Sequence, residues 1–221
     1  PYRVDVTREA EIIEEILRIY GYNKVEIHTQ VQSTLSYSAK PDPHTLENMV
    51  SEYLSNNGFN EAMSNSLTKS GYYESLNTYK PEHLVHIFNP LSADLNVMRQ
   101  TLLFGGLESV AYNLNRKNEN IKLYEYGNCY FRGLLPEDKC LVKNYYEERH
   151  LGIFICGNKH EINWASPEKP TSFFLLKSYT ENVLKKLHFD IDELKEEELH
   201  NDIFRYGLKY TYNKQVVAEF G

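Results

Sequence analysis

Four carboxylates lie close together near the start of the chain, at Asp5, Glu11, Glu14 and Glu15. Glu11 is three residues from Glu14 and four from Glu15, so a helix would place them on one face, with Asp5 just before its start. Hard cations such as Mg²⁺ prefer oxygen ligands of this kind, usually one or two carboxylates with water. Acidic first turns are also common, because the helix dipole favours negative charge there. The spacing alone therefore favours a solvated acidic face, with a metal site as the alternative.

A second set of charges surrounds a helix predicted in the middle of the chain, at Arg99, Glu108, Arg116 and Lys117. Basic side chains can bind phosphate or RNA, but these are spread over several turns and alternate with acids. Scattered charge of this kind is typical of a solvated face or of ion pairs with a partner subunit.

Glu125 lies in a segment that alternates like a β-strand, with Leu123 and Gly127 on the same face. A carboxylate buried there without a partner would be costly, so we expect an arginine or backbone amides beside it. No nucleophile or second carboxylate stands at a readable spacing. The sequence also contains no HxxxH, GxSxG, P-loop or GxGxxG motif. It therefore shows no catalytic constellation.

Composition excludes several classes of protein. The 221 residues carry a formal net charge of -7, whereas a domain that binds nucleic acid unaided usually has a basic excess. No run approaches the roughly 18 apolar residues that span a bilayer. Cys129, Cys140 and Cys156 lack CxxC spacing, which favours free thiols in a reducing cytoplasm. The chain starts at Pro1 without a leader, so we expect a cytoplasmic piece of a longer protein.

The acidic cluster would be positioned by a short strand over residues 1–6 and a helix after it. We expect Thr7 to cap this helix and Gly21 to end it. Apolar side chains recur at helical spacing, at Ile12, Ile13, Ile16, Leu17 and Tyr20. One strand and one helix cannot bury a core. We therefore expect residues 1–25 to be the end of a preceding domain and residues 26–41 to be an extended connector.

The remaining residues, 42–221, alternate helices with strands. Asp42 and Pro43 predict a helix start, and Gly58 predicts its end. A later helix carries Gly105 and Gly106, and because each glycine costs about 1 kcal/mol in a helix interior, we expect a closely packed neighbour there. Helices are expected up to Gly58 and over 101–114 and 171–187, and strands over 59–68, 84–88, 121–131, 151–156, 203–212 and 215–220. The pattern predicts an α+β fold, a mainly antiparallel sheet flanked by helices.

Two stretches of the sequence resemble the beta subunit of bacterial phenylalanyl-tRNA synthetases. The stretch PYRVDVTREAEIIEEILRIYGYN, at residues 1–23, is similar to the end of a small DNA-binding-like domain in that family. The stretch from NPLS to YEYGNCYFR, at residues 89–132, is similar to the centre of the module that follows it. That module has the fold of class II aminoacyl-tRNA synthetases. The resemblance thus implies that residues 42–221 form a class II-like domain.

The resemblance also implies a magnesium site shared with the alpha subunit, with Asp5, Glu11, Glu14 and Glu15 as its ligands. Glu11 stands where the family usually has Asp, which keeps the oxygen chemistry but changes its reach. Class II chemistry uses an arginine on the strand of the second motif and another in a glycine-rich third motif. The strand around Glu125 has no such arginine, and no glycine-rich arginine motif occurs before Gly221. We therefore expect no catalytic or cofactor-binding residues in this chain, with ATP bound by the alpha subunit.

The resemblance implies that the whole enzyme acts in cytoplasmic protein synthesis, where it would attach phenylalanine to tRNA(Phe) with ATP. The family implies an alpha2beta2 tetramer without a membrane segment. This chain would be its noncatalytic structural core, packed on the alpha subunit. The alternative is a stand-alone magnesium-binding enzyme or binding module that uses the acidic cluster.

Overall fold

The computed structural model describes residues 6, 8–26, 40–133, 144–159, 164–165 and 167–221. The chain forms two compact units, Pro1–Lys40 and Pro41–Gly221. Within the described ranges, no helix is long and apolar enough to cross a membrane.

The first unit contains the helix α1 (Glu9–Tyr20). It begins after Arg8, not after Thr7, so the predicted cap is wrong by one position. Gly21 ends the helix as predicted, because it adopts a φ of 98° that other residues rarely tolerate. No residue of α1 is buried. The predicted strand up to Val6 and most of the predicted connector lie outside the described residues.

The second unit holds three helices and nine strands among its described residues. The helices are α2 (Pro43–Asn56), α3 (Leu103–Leu114) and α4 (Phe173–Lys186). The strands are β1 (Asn60–Glu61), β2 (Leu67–Thr68), β3 (Val85–His86), β4 (Val97–Met98), β5 (Ile121–Arg132), β6 (Tyr145–Cys156), β7 (Lys195–Glu198), β8 (Leu208–Tyr212) and β9 (Gln215–Phe220).

The helix α2 begins with the capping residues that the sequence predicted. The Asp42 carboxylate accepts a hydrogen bond from the Thr45 backbone N–H at 3.0 Å, and Pro43 occupies the first turn. Gly58, at a φ of 82°, carries the chain out of the helix towards β1.

The largest sheet has the order β1-β5-β6. The long strands β5 and β6 are antiparallel, with Glu125 opposite Gly152, and β1 runs parallel to β5. One face of this sheet packs on α2 and α4 through a buried cluster of Val50, Leu54, Phe59, Tyr124 and Val183. The opposite face carries Glu125 and meets α3.

Two smaller antiparallel sheets complete the second unit, with the orders β2-β4-β3 and β7-β8-β9. The β7-β8-β9 sheet has its own core, in which Leu184 of α4 packs with Tyr210 and Phe220. The turn between β8 and β9 lies at Asn213 and Lys214, as predicted, and both have positive φ values of 50° and 68°.

The fold class is confirmed as α+β with mainly antiparallel strands. Several predicted boundaries were wrong. The strand predicted over 59–68 is two short strands, β1 and β2, because the intervening residues turn to contact Glu125. The strand predicted over 151–156 begins at Tyr145, since its first half is exposed and lacks the apolar signal. The strand β7 was missed.

Candidate functional site

The acidic cluster lies partly on α1. Glu11 and Glu15 are half-buried and Glu14 is exposed, all on the described helix, whereas Asp5 lies outside the described residues. The Glu11 carboxylate accepts a hydrogen bond from the Arg8 backbone N–H at 2.9 Å. Glu15 pairs with Arg18 at 2.9 Å.

These contacts define what the acidic cluster can do. Its donor set consists of hard carboxylate oxygens, which fit Mg²⁺ chemically. In the described portion of the chain, no group of three or more His, Cys, Asp or Glu side chains is arranged to hold a metal ion. The magnesium site therefore stays a prediction.

The second candidate is a buried polar cluster between β4 and β5. The Glu125 side chain is 2% exposed and the Arg99 side chain 7% exposed. Arg99 Nη1 donates to Glu125 Oε1 at 2.7 Å, and Arg99 Nε donates to the Asn128 carbonyl at 3.0 Å. The expectation of an arginine beside Glu125 is confirmed, and the expectation that Arg99 lies on a solvated face is wrong.

Ser64 completes the cluster from the segment between β1 and β2. Its backbone N–H donates to Glu125 Oε1 at 3.1 Å, and its hydroxyl donates to Glu125 Oε2. Both carboxylate oxygens are therefore engaged by the chain itself. A buried carboxylate that accepts three hydrogen bonds in this way holds three segments of the chain together.

Gly127 makes the space for the arginine. A Cβ added to Gly127 would overlap the Arg99 guanidinium and would lie 2.7 Å from Leu102 Cδ2. Any side chain at this position would push Arg99 away from Glu125. Glu125 and Gly127 therefore act together on this face of β5, because Glu125 pairs with Arg99 and Gly127 leaves the space that the Arg99 guanidinium occupies.

The glycine pair of α3 closes the same face of the sheet. A Cβ added to Gly106 would overlap the Phe154 ring, and one added to Gly105 would lie 2.9 Å from Ser64 Oγ. The expectation of close packing at this pair is confirmed. Side chains and backbone of this chain fill the part of the sheet face around Glu125.

The other groups near this sheet are also buried by packing. Burial raises the pKa of the Cys129 thiol to about 11, against the weaker opposing effect of Arg99. Burial likewise raises the pKa of Tyr73 to about 12, and its hydroxyl accepts from the Gln100 backbone N–H at 3.2 Å. A thiol and a phenol with pKa values this high stay protonated near neutral pH and are therefore poor nucleophiles.

Two open grooves in the described residues lie away from this cluster. One of about 330 Å³ is lined by the loop that includes His200, Asp202 and Arg205. Another of about 480 Å³ is lined by side chains of the β7-β8-β9 sheet, including Lys209 and Val216. Neither groove is lined by Arg99 or Glu125.

Sequence reasoning missed two contributors to this region. Ser64 is 61 residues from Glu125 and has no motif around it that could have revealed the contact. Arg149 of β6 forms a two-point ion pair with Glu47 of α2, at 2.9 and 3.2 Å. This pair ties α2 to the hairpin of β5 and β6.

Comparisons with known proteins agree on one family. The family described as "Phenylalanyl tRNA synthetase beta chain CLM domain" matches residues 27–220. The phenylalanine–tRNA ligase beta subunit of Bacteroides thetaiotaomicron is 48% identical over the whole chain, which covers 27% of that relative. The corresponding subunit of Porphyromonas gingivalis is 41% identical over the whole chain, which again covers 27% of the relative. In Listeria innocua the beta subunit is 31% identical over 90% of this chain and 24% of its own length. The chain thus spans about a quarter of the length of these relatives.

Two solved structures share the fold. Pyrrolysyl-tRNA synthetase from Desulfitobacterium hafniense superposes with a TM-score of 0.54 at 15% identity, over 99% of this chain and 71% of that one. A second structure of a pyrrolysyl-tRNA synthetase from the same organism gives 0.52 at 14% identity, over 95% of this chain and 62% of that one. At such low identity the likeness concerns the fold alone.

Proposed function

Because the chain belongs to the family of phenylalanyl-tRNA synthetase beta chains, we propose that it forms the noncatalytic, class II-like core of a phenylalanine–tRNA ligase beta subunit. The whole enzyme would attach phenylalanine to tRNA(Phe) with ATP during protein synthesis in the cytoplasm. The alpha subunit would bind ATP and carry out the chemistry. This chain would hold the enzyme together.

The closed cluster of Arg99, Glu125 and Ser64 is the observation that carries this proposal. Stabilisation of a reacting phosphate needs positive groups aimed at the place where charge develops. Arg99 is buried, and its guanidinium is committed to Glu125 and to the Asn128 carbonyl. An arginine used in this way stabilises the fold and leaves little to offer a nucleotide.

Assembly with an alpha subunit is the direct test of the scaffold role. Full-length beta subunit and alpha subunit from the same organism would be mixed and their mass measured by light scattering after size-exclusion chromatography. The proposal predicts a complex, an alpha2beta2 tetramer by family, that charges tRNA(Phe). Two folded subunits that stay separate would contradict the proposal.

The acidic cluster is proposed as a magnesium site shared with the alpha subunit. The support is the carboxylate donor set of Asp5, Glu11, Glu14 and Glu15, which suits a hard cation. The Glu14→Gln variant of the full-length subunit would be titrated with Mg²⁺ in the assembled complex by calorimetry. We expect weaker binding than in the unchanged complex, whereas Glu9→Gln, another acidic residue of the first turn, should have little effect. Equal Mg²⁺ affinity in Glu14→Gln and the unchanged complex would contradict the site.

A further inference from the structure

Asn57 and Gly58 form the one Asn-Gly dipeptide in the sequence. An asparagine followed by glycine is chemically labile, because no side chain shields the following backbone nitrogen. That nitrogen loses its proton and attacks the asparagine Cγ, which forms the N–Cγ bond of a succinimide ring. The bond between Cγ and the side-chain nitrogen breaks, and this nitrogen takes up a proton and leaves as ammonia. Water then opens the ring to aspartate or to isoaspartate. The reaction needs only water, so the surrounding structure decides whether it occurs.

Three features of the structure oppose ring closure at this site. The Gly58 backbone N–H donates to the Ser55 carbonyl at 3.0 Å, so the attacking nitrogen is occupied. The Asn57 side-chain NH₂ donates to the Tyr53 carbonyl at 2.7 Å, which draws it back along α2. The five-membered ring also requires Cβ and the Gly58 nitrogen to be nearly eclipsed about the Cα–C bond, and the Asn57 ψ of 13° turns these two atoms far apart.

One contact acts in the opposite direction. The Lys122 ammonium donates to the Asn57 carbonyl oxygen at 3.2 Å. Positive charge at that oxygen stabilises the peptide anion that forms when the Gly58 nitrogen loses its proton. The dipeptide is therefore activated by its neighbour while the end of α2 holds it in the wrong geometry.

We propose that Asn57 is a latent deamidation site, dormant while the last turn of α2 is formed and reactive once that turn opens. Helix ends open locally far more often than whole domains unfold. The extent of deamidation at Asn57 therefore reports how often this helix end opens.

Either product would disturb the connection between the end of α2 and the start of β1. Aspartate at position 57 puts negative charge at a helix C-terminus, where the helix dipole disfavours it. Isoaspartate adds a methylene to the backbone just before Asn60, which pairs with Leu123. Either product weakens the entry to β1, so modification should lower stability.

Peptide mass spectrometry of the full-length protein tests this proposal. The protein would be incubated at 37 °C in buffer, in buffer with urea, and as the Leu54→Ala variant, and the peptide containing Asn57 would be followed with time. Leu54 is fully buried in the last turns of α2, so its truncation should favour local opening. Asn56, which precedes Asn57, serves as the internal control because no glycine follows it.

We expect deamidation at Asn57 to be slower in the folded protein than in urea by at least about tenfold, which corresponds to a protection of roughly 1.4 kcal/mol. The Leu54→Ala variant should react at an intermediate rate, and Asn56 should stay unmodified on the same timescale. Equal rates in buffer and in urea would overturn the protection by α2. An unreactive Asn57 in urea would overturn the site itself.

Discussion

Glu125 carries a carboxylate into the interior of the second unit, where it meets one charged partner. Removing that partner or the carboxylate leaves a buried charge uncompensated, which costs far more than an exposed ion pair contributes. The short separation of 2.7 Å between Arg99 Nη1 and Glu125 Oε1 marks this pair as a single unit.

The Glu125→Gln substitution should therefore destabilise the protein by about 3 to 5 kcal/mol, since it leaves Arg99 charged in the interior. Urea unfolding followed by circular dichroism measures the change. Glu82→Gln is the control, because Glu82 is half-exposed and pairs with Lys80 at 3.6 Å. Its substitution should change stability by less than about 0.5 kcal/mol. Equal effects of the two substitutions would contradict the structural role of Glu125.

The Gly106→Ala substitution should destabilise the protein by about 1 to 3 kcal/mol, although alanine is the better helix former. The physical reason is the overlap of the new Cβ with the Phe154 ring. The double variant Gly106→Ala with Phe154→Leu should recover part of the loss, and thermal unfolding would measure it. A stabilising Gly106→Ala would contradict the close packing of α3 on the sheet.

Cys129 and Cys156 should differ in reactivity, because Cys129 is fully buried and Cys156 is partly exposed. Burial raises the pKa of Cys129 from 9.0 to about 11, so its thiolate is scarce until the pH rises through that range. Alkylation with iodoacetamide at about pH 8, read by peptide mass spectrometry, should modify Cys156 first. Both should react at similar rates in urea. Faster alkylation of Cys129 in the folded protein would contradict its burial.

At the scale of the element, capping and turn residues in the sequence predicted helix ends and turns well. Asp42 and Gly21 act through hydrogen bonds to residues within four positions, and the pair Asn213-Lys214 acts through its own backbone conformation, so the sequence alone contained the information. The strand β5 was predicted to within one residue, because its alternation spans the whole element.

Other elements depend on partners that are distant in sequence. The strand β7 reads KEEE and has no apolar alternation. It is a strand because it pairs with β8, where Lys209 meets Glu197 at 3.2 Å. The burial of Arg99 was missed for the same reason, since its partners Glu125 and Ser64 are 26 and 35 residues away. Long-range pairing of this kind cannot be read from one sequence.

The turn between β8 and β9 allows an element-scale prediction. Lys214 has a φ of 68°, a left-handed conformation that costs a residue with a Cβ roughly 1 kcal/mol or more. Lys214→Gly should therefore stabilise the protein by about 0.5 to 1 kcal/mol in urea unfolding. Lys214→Ala keeps the Cβ and should give no such gain. A gain of equal size for alanine would show that loss of the lysine side chain, and not the backbone, is responsible.

At the scale of the whole molecule, the fold and the chemistry point to different roles. The fold is shared with a pyrrolysyl-tRNA synthetase, as the superposition shows. The sheet face around Glu125, however, is filled by α3, Arg99 and Ser64. A sheet face filled in this way agrees with the proposal that this chain is a noncatalytic core.

Amino-acid activation by the separated subunits tests this central claim most directly. Full-length beta subunit, alpha subunit and their complex would each be supplied with phenylalanine, ATP and Mg²⁺, and formation of phenylalanyl-adenylate would be measured. The claim predicts no adenylate above background with the beta subunit alone and robust formation by the complex. Stoichiometric adenylate formation by the isolated beta subunit would contradict it.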